Sequence, residues 1–171
     1  REDLEQLRSA DWLSQTTDVP TADDEDAGIR NEIMRMVSEF QWRGLSIHVT
    51  GAGRGVYRLD PEAVRALVQS VRAAFENVLR HSGRNVAELE FIYGDEDLTV
   101  MVTDQGRGFD PAAVPEDRLG VRESIVRRME AVGGSAQVWS TPGSGTSVVL
   151  RAPIVEVVAP NPQSRHRERY G

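Results

Sequence analysis

The chain has 171 residues, 39% of them hydrophobic, which is enough for the core of one domain with extra material at its ends. It has no cysteine and a formal charge of −7, which excludes disulfides, thiolate chemistry and cysteine-type zinc sites, and argues against nucleic acid as a partner. No apolar run approaches the roughly 18 to 20 residues of a membrane span, and Arg1-Glu2-Asp3-Leu4 lacks the marks of a secretory signal, so a cytoplasmic place without direct membrane contact is expected.

Residues 1–13, with Leu4, Leu7 and Trp12 as apolar punctuation, are expected to be the exit of a helix that begins upstream. Residues 14–26 turn to Thr, Asp, Pro and Ser and carry the run Asp23-Asp24-Glu25-Asp26, an acidic linker. The chain therefore reads as a piece of a longer protein. Over 27–42, Ile29, Ile33, Met36, Val37 and Phe40 recur at helical spacing; Gly44 ends the pattern, and 45–50 alternate as a short strand. Gly51-Ala52-Gly53-Arg54-Gly55 follows that strand as a dinucleotide loop would. However, Tyr57-Arg58-Leu59 resumes an extended pattern where such a loop must open a helix, so the glycines predict a hairpin turn.

Asp60 as N-cap and Pro61 at the first position launch the longest helix, whose stripe Val64, Leu67, Val68, Val71, Phe75, Val78 and Leu79 is core. Strands are predicted over 87–93 and 98–103, joined by the turn Gly94-Asp95-Glu96-Asp97. A second helix over 121–132 turns Val121, Ile125, Met129 and Val132 inward and closes at Gly133-Gly134. Strands over 135–140 and 146–151 pair about Pro142-Gly143. This order predicts an α+β sandwich, a mixed β-sheet with helices packed on one face. Residues 27–152 form the expected domain, and 153–171 a C-terminal strand or tail that is loose, particularly from Pro160.

Four stretches carry chemistry: Glu76-Asn77-Val78-Leu79-Arg80-His81, Asp104-Gln105-Gly106-Arg107-Gly108-Phe109, Leu119-Gly120-Val121 and Pro142-Gly143-Ser144-Gly145-Thr146. On the long helix Ala73, Ala74, Asn77, Arg80 and His81 share one side, which suits a nucleotide. The alanines leave room, the Asn77 amide oxygen can join a magnesium shell, and Arg80 can offset phosphate charge. Asp104 follows a strand directly and can accept from the exocyclic amine of adenine while repelling the carbonyl of guanine. Gly106 and Gly108 permit positive φ and close approach of backbone to ligand. Residues 110–118 would form a covering loop, and Leu119-Gly120-Val121 would open the second helix, offering unpaired N–H groups to phosphates. Gly143, Gly145 and Thr146 make a last loop whose hydroxyl can reach the base directly or through water. Taken singly, each stretch also fits an ordinary helix surface or turn.

Together they resemble the GHKL group of Bergerat-fold ATPases, which includes gyrase, heat-shock chaperones, mismatch-repair proteins and sensor histidine kinases. Asn77 is similar to the N-box asparagine, Asp104-Gln-Gly-Arg-Gly108 to the G1 box, Leu119-Gly120-Val121 to the G2 box and Gly143-Ser-Gly-Thr146 to the G3 loop. The resemblance covers about residues 28–152. It is closest to sensor kinases, of actinobacterial type, that partner DNA-binding response regulators with small dimerisation domains. It implies a kinase domain that binds ATP and Mg²⁺ and passes the γ-phosphate to a histidine on a dimerisation helix outside this chain. The full-length protein would be a homodimer acting on a response regulator. By resemblance Asn77 serves magnesium, Arg80 phosphate, His81 ribose or base and Asp104 adenine, with the glycines setting loop geometry.

The chain also departs from that pattern. Four residues before the N-box asparagine, where that branch and the hydrolytic members carry Glu, stands Ala73, and Glu76 lies too far round the helix to replace it simply. No residue is therefore assigned as catalytic. Arg118 stands where the G2 box has its first glycine, and none of His48, His81 and His166 suits a phosphoacceptor. Two alternatives remain: a serine kinase of anti-sigma type on the same fold, and a nucleotide-gated interaction module without catalysis.

Overall fold

A computed structural model describes residues 25–51, 56–113 and 116–158. The expected helix exit over 1–13, residues 14–24 of the linker expected over 14–26, residues 52–55 and the tail from 159, with His166, lie outside the described residues, while Glu25 and Asp26, expected in that linker, open a helix.

The helical spacing of the first apolar stripe yields α1 (Glu25–Trp42), which buries Ile29, Ile33, Met36, Val37 and Phe40. Gly44, at φ +94°, turns the chain out of α1 and into β1 (Ser46–Thr50). After β2 (Val56–Leu59), the Asp60 carboxylate accepts from the Glu62 N–H at 2.9 Å and Pro61 takes the first turn of α2 (Pro61–His81). Leu67, Val71, Phe75 and Val78 face the core from α2. The Phe75 ring meets Phe40 of α1 at 5.2 Å, tilted by 56°.

Strands β3 (Val86–Tyr93) and β4 (Asp97–Asp104) alternate strictly: Ala87, Leu89 and Phe91 are buried on one, and Leu98, Val100 and Val102 on the other. Asp104 is the next inward position after Val102, so the same two-residue period that builds the core carries a carboxylate to its edge. Next come α3 (Glu116–Glu130), which buries Ile125 and Met129, then β5 (Ser135–Thr141) and β6 (Gly145–Val158). The sheet runs β1-β3-β4-β6-β2, with β5 also on β6. Among the described strands only β1 and β3 are parallel; the remaining pairs are antiparallel. The helices cover one face while Ile92 and Trp139 stand exposed on strands, the α+β sandwich the sequence implies.

Three local expectations are corrected. β1 and β2, expected to pair with each other across the glycines, do not: β1 pairs with β3 and β2 with β6, at opposite ends of the sheet. Glycines signal that the chain turns but do not choose a strand's partner; here β1 gains more by burying Ile47 beside Ala87 under the helices. The second helix begins at Glu116, not Val121, so part of the expected covering loop is helix. The sequence Pro115-Glu116-Asp117 is the signal for that start, since proline and acidic residues favour a first turn. Finally, β6 continues past Arg151 through 153–158, residues assigned to a strand or loose tail. Pro153 makes the last pairing with β4, after which the strand is taken up by β2 through a register shift at Arg58/Leu59.

Candidate functional site

A cavity of about 550 Å³, its open mouth included, lies between α2, α3 and the ends of β4, β5 and β6. Its apolar surface comes from Ile125 of α3, Val138 of β5 and Val148 of β6, all buried, with Phe109 beside them. Such a surface suits a flat aromatic ligand, and Asn77, His81, Ser82, Asp104, Arg122 and Thr146 supply the polar groups of the lining.

Asp104 is the central one. It is 7% exposed, accepts from the Gly106 N–H at 2.8 Å and also from the Thr146 N–H. Burial raises its carboxyl above the usual range, and those two N–H groups oppose the rise. Register places Thr146 directly opposite Asp104, so the carboxylate and the Thr146 hydroxyl lie side by side on adjacent strands. Across the cavity, α2 contributes Asn77 and, at its last turn, His81 and the C-cap residue Ser82. Asn77 and Asp104 therefore share one hollow, as the nucleotide reading demands.

Other predicted residues are placed differently. Arg80 does not line the cavity: its side chain is 72% exposed and its Nε lies 3.7 Å from Glu76 Oε2. Glu76 is in turn gripped by both guanidinium nitrogens of Arg43, at 2.6 and 3.1 Å. That hydrogen-bonded pairing holds the Glu76 carboxyl below the usual range despite partial burial. Ala73 packs against the core and offers no acidic group. Leu119, Gly120 and Val121 lie within α3, not at its opening; Gly120 is exposed with open space around it, and Val121 rests against the core.

The glycines do something other than admit a ligand, and of those predicted only Gly108 lines the cavity. Gly106 is not at positive φ; it is where the loop after β4 presses on the end of α2, since a Cβ there would overlap the Ser82 carbonyl. The Arg107 N–H donates to that carbonyl at 2.8 Å. Gly108, at φ +60°, packs against the Thr141 and Gly145 carbonyls, and Gly145, at φ +92°, against the Asp104 carbonyl. Gly143, at φ +82°, faces open space, and its N–H donates to Arg107 O at 2.6 Å. The glycines thus let α2, the β4 exit and the β5–β6 hairpin touch backbone to backbone.

Sequence reasoning missed Arg122 and Ser140. Arg122 lines the cavity with Ile125 one turn on, and helical spacing from the inward Ile125 and Met129 would have found it. Ser140 lies behind the cavity; its Oγ accepts from the Phe109 N–H at 2.8 Å. No single-sequence pattern marks it.

The family described as histidine kinase-, DNA gyrase B- and HSP90-like ATPases matches residues 62–156, more than half of the chain. An uncharacterized sensor-like histidine kinase of Chloroflexus aurantiacus is 33% identical over 102 residues, 57% of this chain and 17% of that protein. Sensor protein VraS of Staphylococcus aureus is 30% identical over 88 residues, 52% of this chain and 25% of its own length. The chain therefore spans a quarter or less of these relatives. The ATP-binding domain of PrrB from Mycobacterium tuberculosis has the same fold, with a TM-score of 0.57 at 18% identity, covering 74% of this chain and 93% of that one. With Asp104 and Asn77 on facing walls of one cavity and the family match spanning both, the chain belongs to the histidine kinase-, DNA gyrase B- and HSP90-like ATPase family.

Proposed function

We propose that this chain is the ATP-binding catalytic domain of a sensor histidine kinase, acting on a histidine of a dimerisation helix outside it, in a homodimeric protein that signals to a response regulator. The carrying observation is the shared cavity. A buried carboxylate with two of its acceptor sites filled by backbone N–H groups still has lone pairs for an amine, while the Asn77 amide stands on the opposite wall. These residues fit a purine nucleotide. Bound Mg-ATP would supply the phosphoryl group, with the metal relieving the charge that phosphoryl transfer develops.

Asp104 would hold the base by its amino edge, the apolar surface would exclude water from it, and Asn77 would reach the metal. Arg122, which lines the cavity, is better placed for phosphate than Arg80, whose guanidinium faces Glu76. The domain would work in the cytoplasm; no helix among the described residues is long and apolar enough to cross a membrane.

Calorimetry with Mg-ATP tests this. The wild type should bind and Asp104→Ala should not, and equal binding by both rejects the site. A second reading, a nucleotide-gated module without catalysis, draws on Ala73 and on the commitment of Glu76 to Arg43. Labelled ATP with an acceptor-helix protein separates the two: phosphohistidine supports the kinase, and binding without transfer supports the module.

A further inference from the structure

Ser140 touches three groups that line or close the cavity, and a proton count fixes what each must do. Its Oγ lies 2.8 Å from the Phe109 N–H, which can only donate, and 3.0 Å from the Gly145 carbonyl, which can only accept. It also lies 2.9 Å from Thr146 Oγ1, where either oxygen could be the donor. A serine hydroxyl has one proton and two acceptor sites. One arrangement satisfies all three contacts: Ser140 gives its proton to Gly145 and accepts from both Phe109 and Thr146. The Thr146 proton is then turned away from the cavity, and only its lone pairs face in.

We infer that Ser140 is a positioning residue for base selectivity, holding the Thr146 hydroxyl as an acceptor beside Asp104 so that the cavity presents two adjacent acceptors to the 6-position of a purine. The inference rests on the nucleotide reading above and deepens it. An exocyclic amine meets this pair well: one N–H serves Asp104, while Thr146 takes the other or a proton from a bridging water. A 6-carbonyl meets two oxygens and no donor, which leaves buried acceptors facing each other. Removing the Ser140 hydroxyl frees the Thr146 proton to point inward, where it can donate to that carbonyl.

The test compares Mg-ATP with Mg-ITP, which replaces the 6-amine by a carbonyl, in calorimetric titrations of the whole chain. The wild type should prefer ATP, and Ser140→Ala should lower the ATP-to-ITP affinity ratio by roughly tenfold, the value of one hydrogen bond of ordinary strength. Ser140→Thr, which keeps the hydroxyl, should restore the ratio. Thr146→Val should lower the ratio as Ser140→Ala does, and the double variant should lower it no further, because both changes remove one device. Loss of the Phe109 contact alone would weaken both nucleotides equally. An unchanged ratio in Ser140→Ala with weaker binding of both would therefore make Ser140 a brace and overturn the inference. Binding of neither nucleotide by the wild type would overturn the nucleotide reading as well.

Discussion

The wall of the cavity built from β4, β5 and β6 is packed backbone to backbone at Gly145, whereas the helical wall, held as closely at the Ser82 end of α2, has open space along α3. Gly145 and Gly120 show the difference. The first sits at φ +92° with its Cα against the Asp104 carbonyl, and the second lies in α3 with nothing within 4 Å of where a Cβ would be. Both lie in the stretches that the sequence singles out, yet only one is required by packing. The strand wall is rigid because paired strands fix its register, and the chemistry it offers is a fixed set of acceptors.

Gly145→Ala should break the strand wall and carry the largest effect. The methyl would force β4 and β6 apart at the Asp104–Thr146 pair and place alanine at positive φ, with overpacking and backbone strain each costing about 1 to 3 kcal/mol. Thermal unfolding should show a large fall in Tm, and nucleotide binding should be lost with it. A variant that unfolds and binds like the wild type would mean the strand wall is as tolerant as the helical one.

Asp104→Asn separates the wall's chemistry from its packing. The amide keeps an acceptor for the Gly106 N–H but brings donors toward the ligand amine, so ATP affinity should fall by about 1.5 to 3 kcal/mol, read by calorimetry. Stability should move the other way at neutral pH. The Asp104 carboxyl is raised in the folded state, so the folded protein holds its proton more tightly than the unfolded chain does. The stability this gives is full below the unfolded carboxyl's pKa and is lost as pH rises through the folded one. Relative to Asp104→Asn, the wild type should lose ground across that interval on going from acid to neutral pH. Parallel stability curves would show that burial of this carboxylate costs nothing.

Much of this contrast was legible in the residues. Period two, counted along β4, brings Asp104 inward with Leu98, Val100 and Val102, and the cap and stripe of α2 place Asn77 beside the cavity. Local rules carry that far because they concern one element at a time. What failed depended on partners. The pairing of β1 with β3, the handover of β6 from β4 to β2, and the contact of Gly106 with Ser82 all join segments distant in sequence. Arg80 was assigned from helical position and from the resemblance, neither of which shows that its exposed guanidinium lies beside Glu76 and outside the cavity lining. Ser140 works through three hydrogen bonds to other segments and has no local signature.

Gly120→Ala sharpens the comparison from the helical side. With open space around it and helical backbone, alanine should stabilise α3 by roughly 0.5 to 1 kcal/mol, a modest rise in Tm. Nucleotide affinity is the separate readout. If α3 binds in the position seen here, affinity should be unchanged. A loss of affinity in the more stable variant would show that the first turns of α3 must unwind to admit the phosphates.

The smallest effect belongs to Glu76→Gln, next to Asn77 on α2 but outside the cavity lining. Arg43 and Arg80 both approach this carboxylate near the surface, where ion pairs contribute little and salt screens them, so Tm should fall slightly and the difference should shrink in high salt. Arg43 holds the Glu76 carboxyl below its ordinary value. Its contribution is therefore present above the unfolded carboxylate's pKa and disappears as pH falls through the lowered one, where wild type and variant should converge. Nucleotide binding and any ATP turnover should be the same in both proteins, because a carboxylate committed to Arg43, just past the end of α1, is a poor proton acceptor. Loss of turnover in Glu76→Gln would mean that this side chain leaves Arg43 during the reaction, and that the helical wall supplies the base that Ala73 lacks.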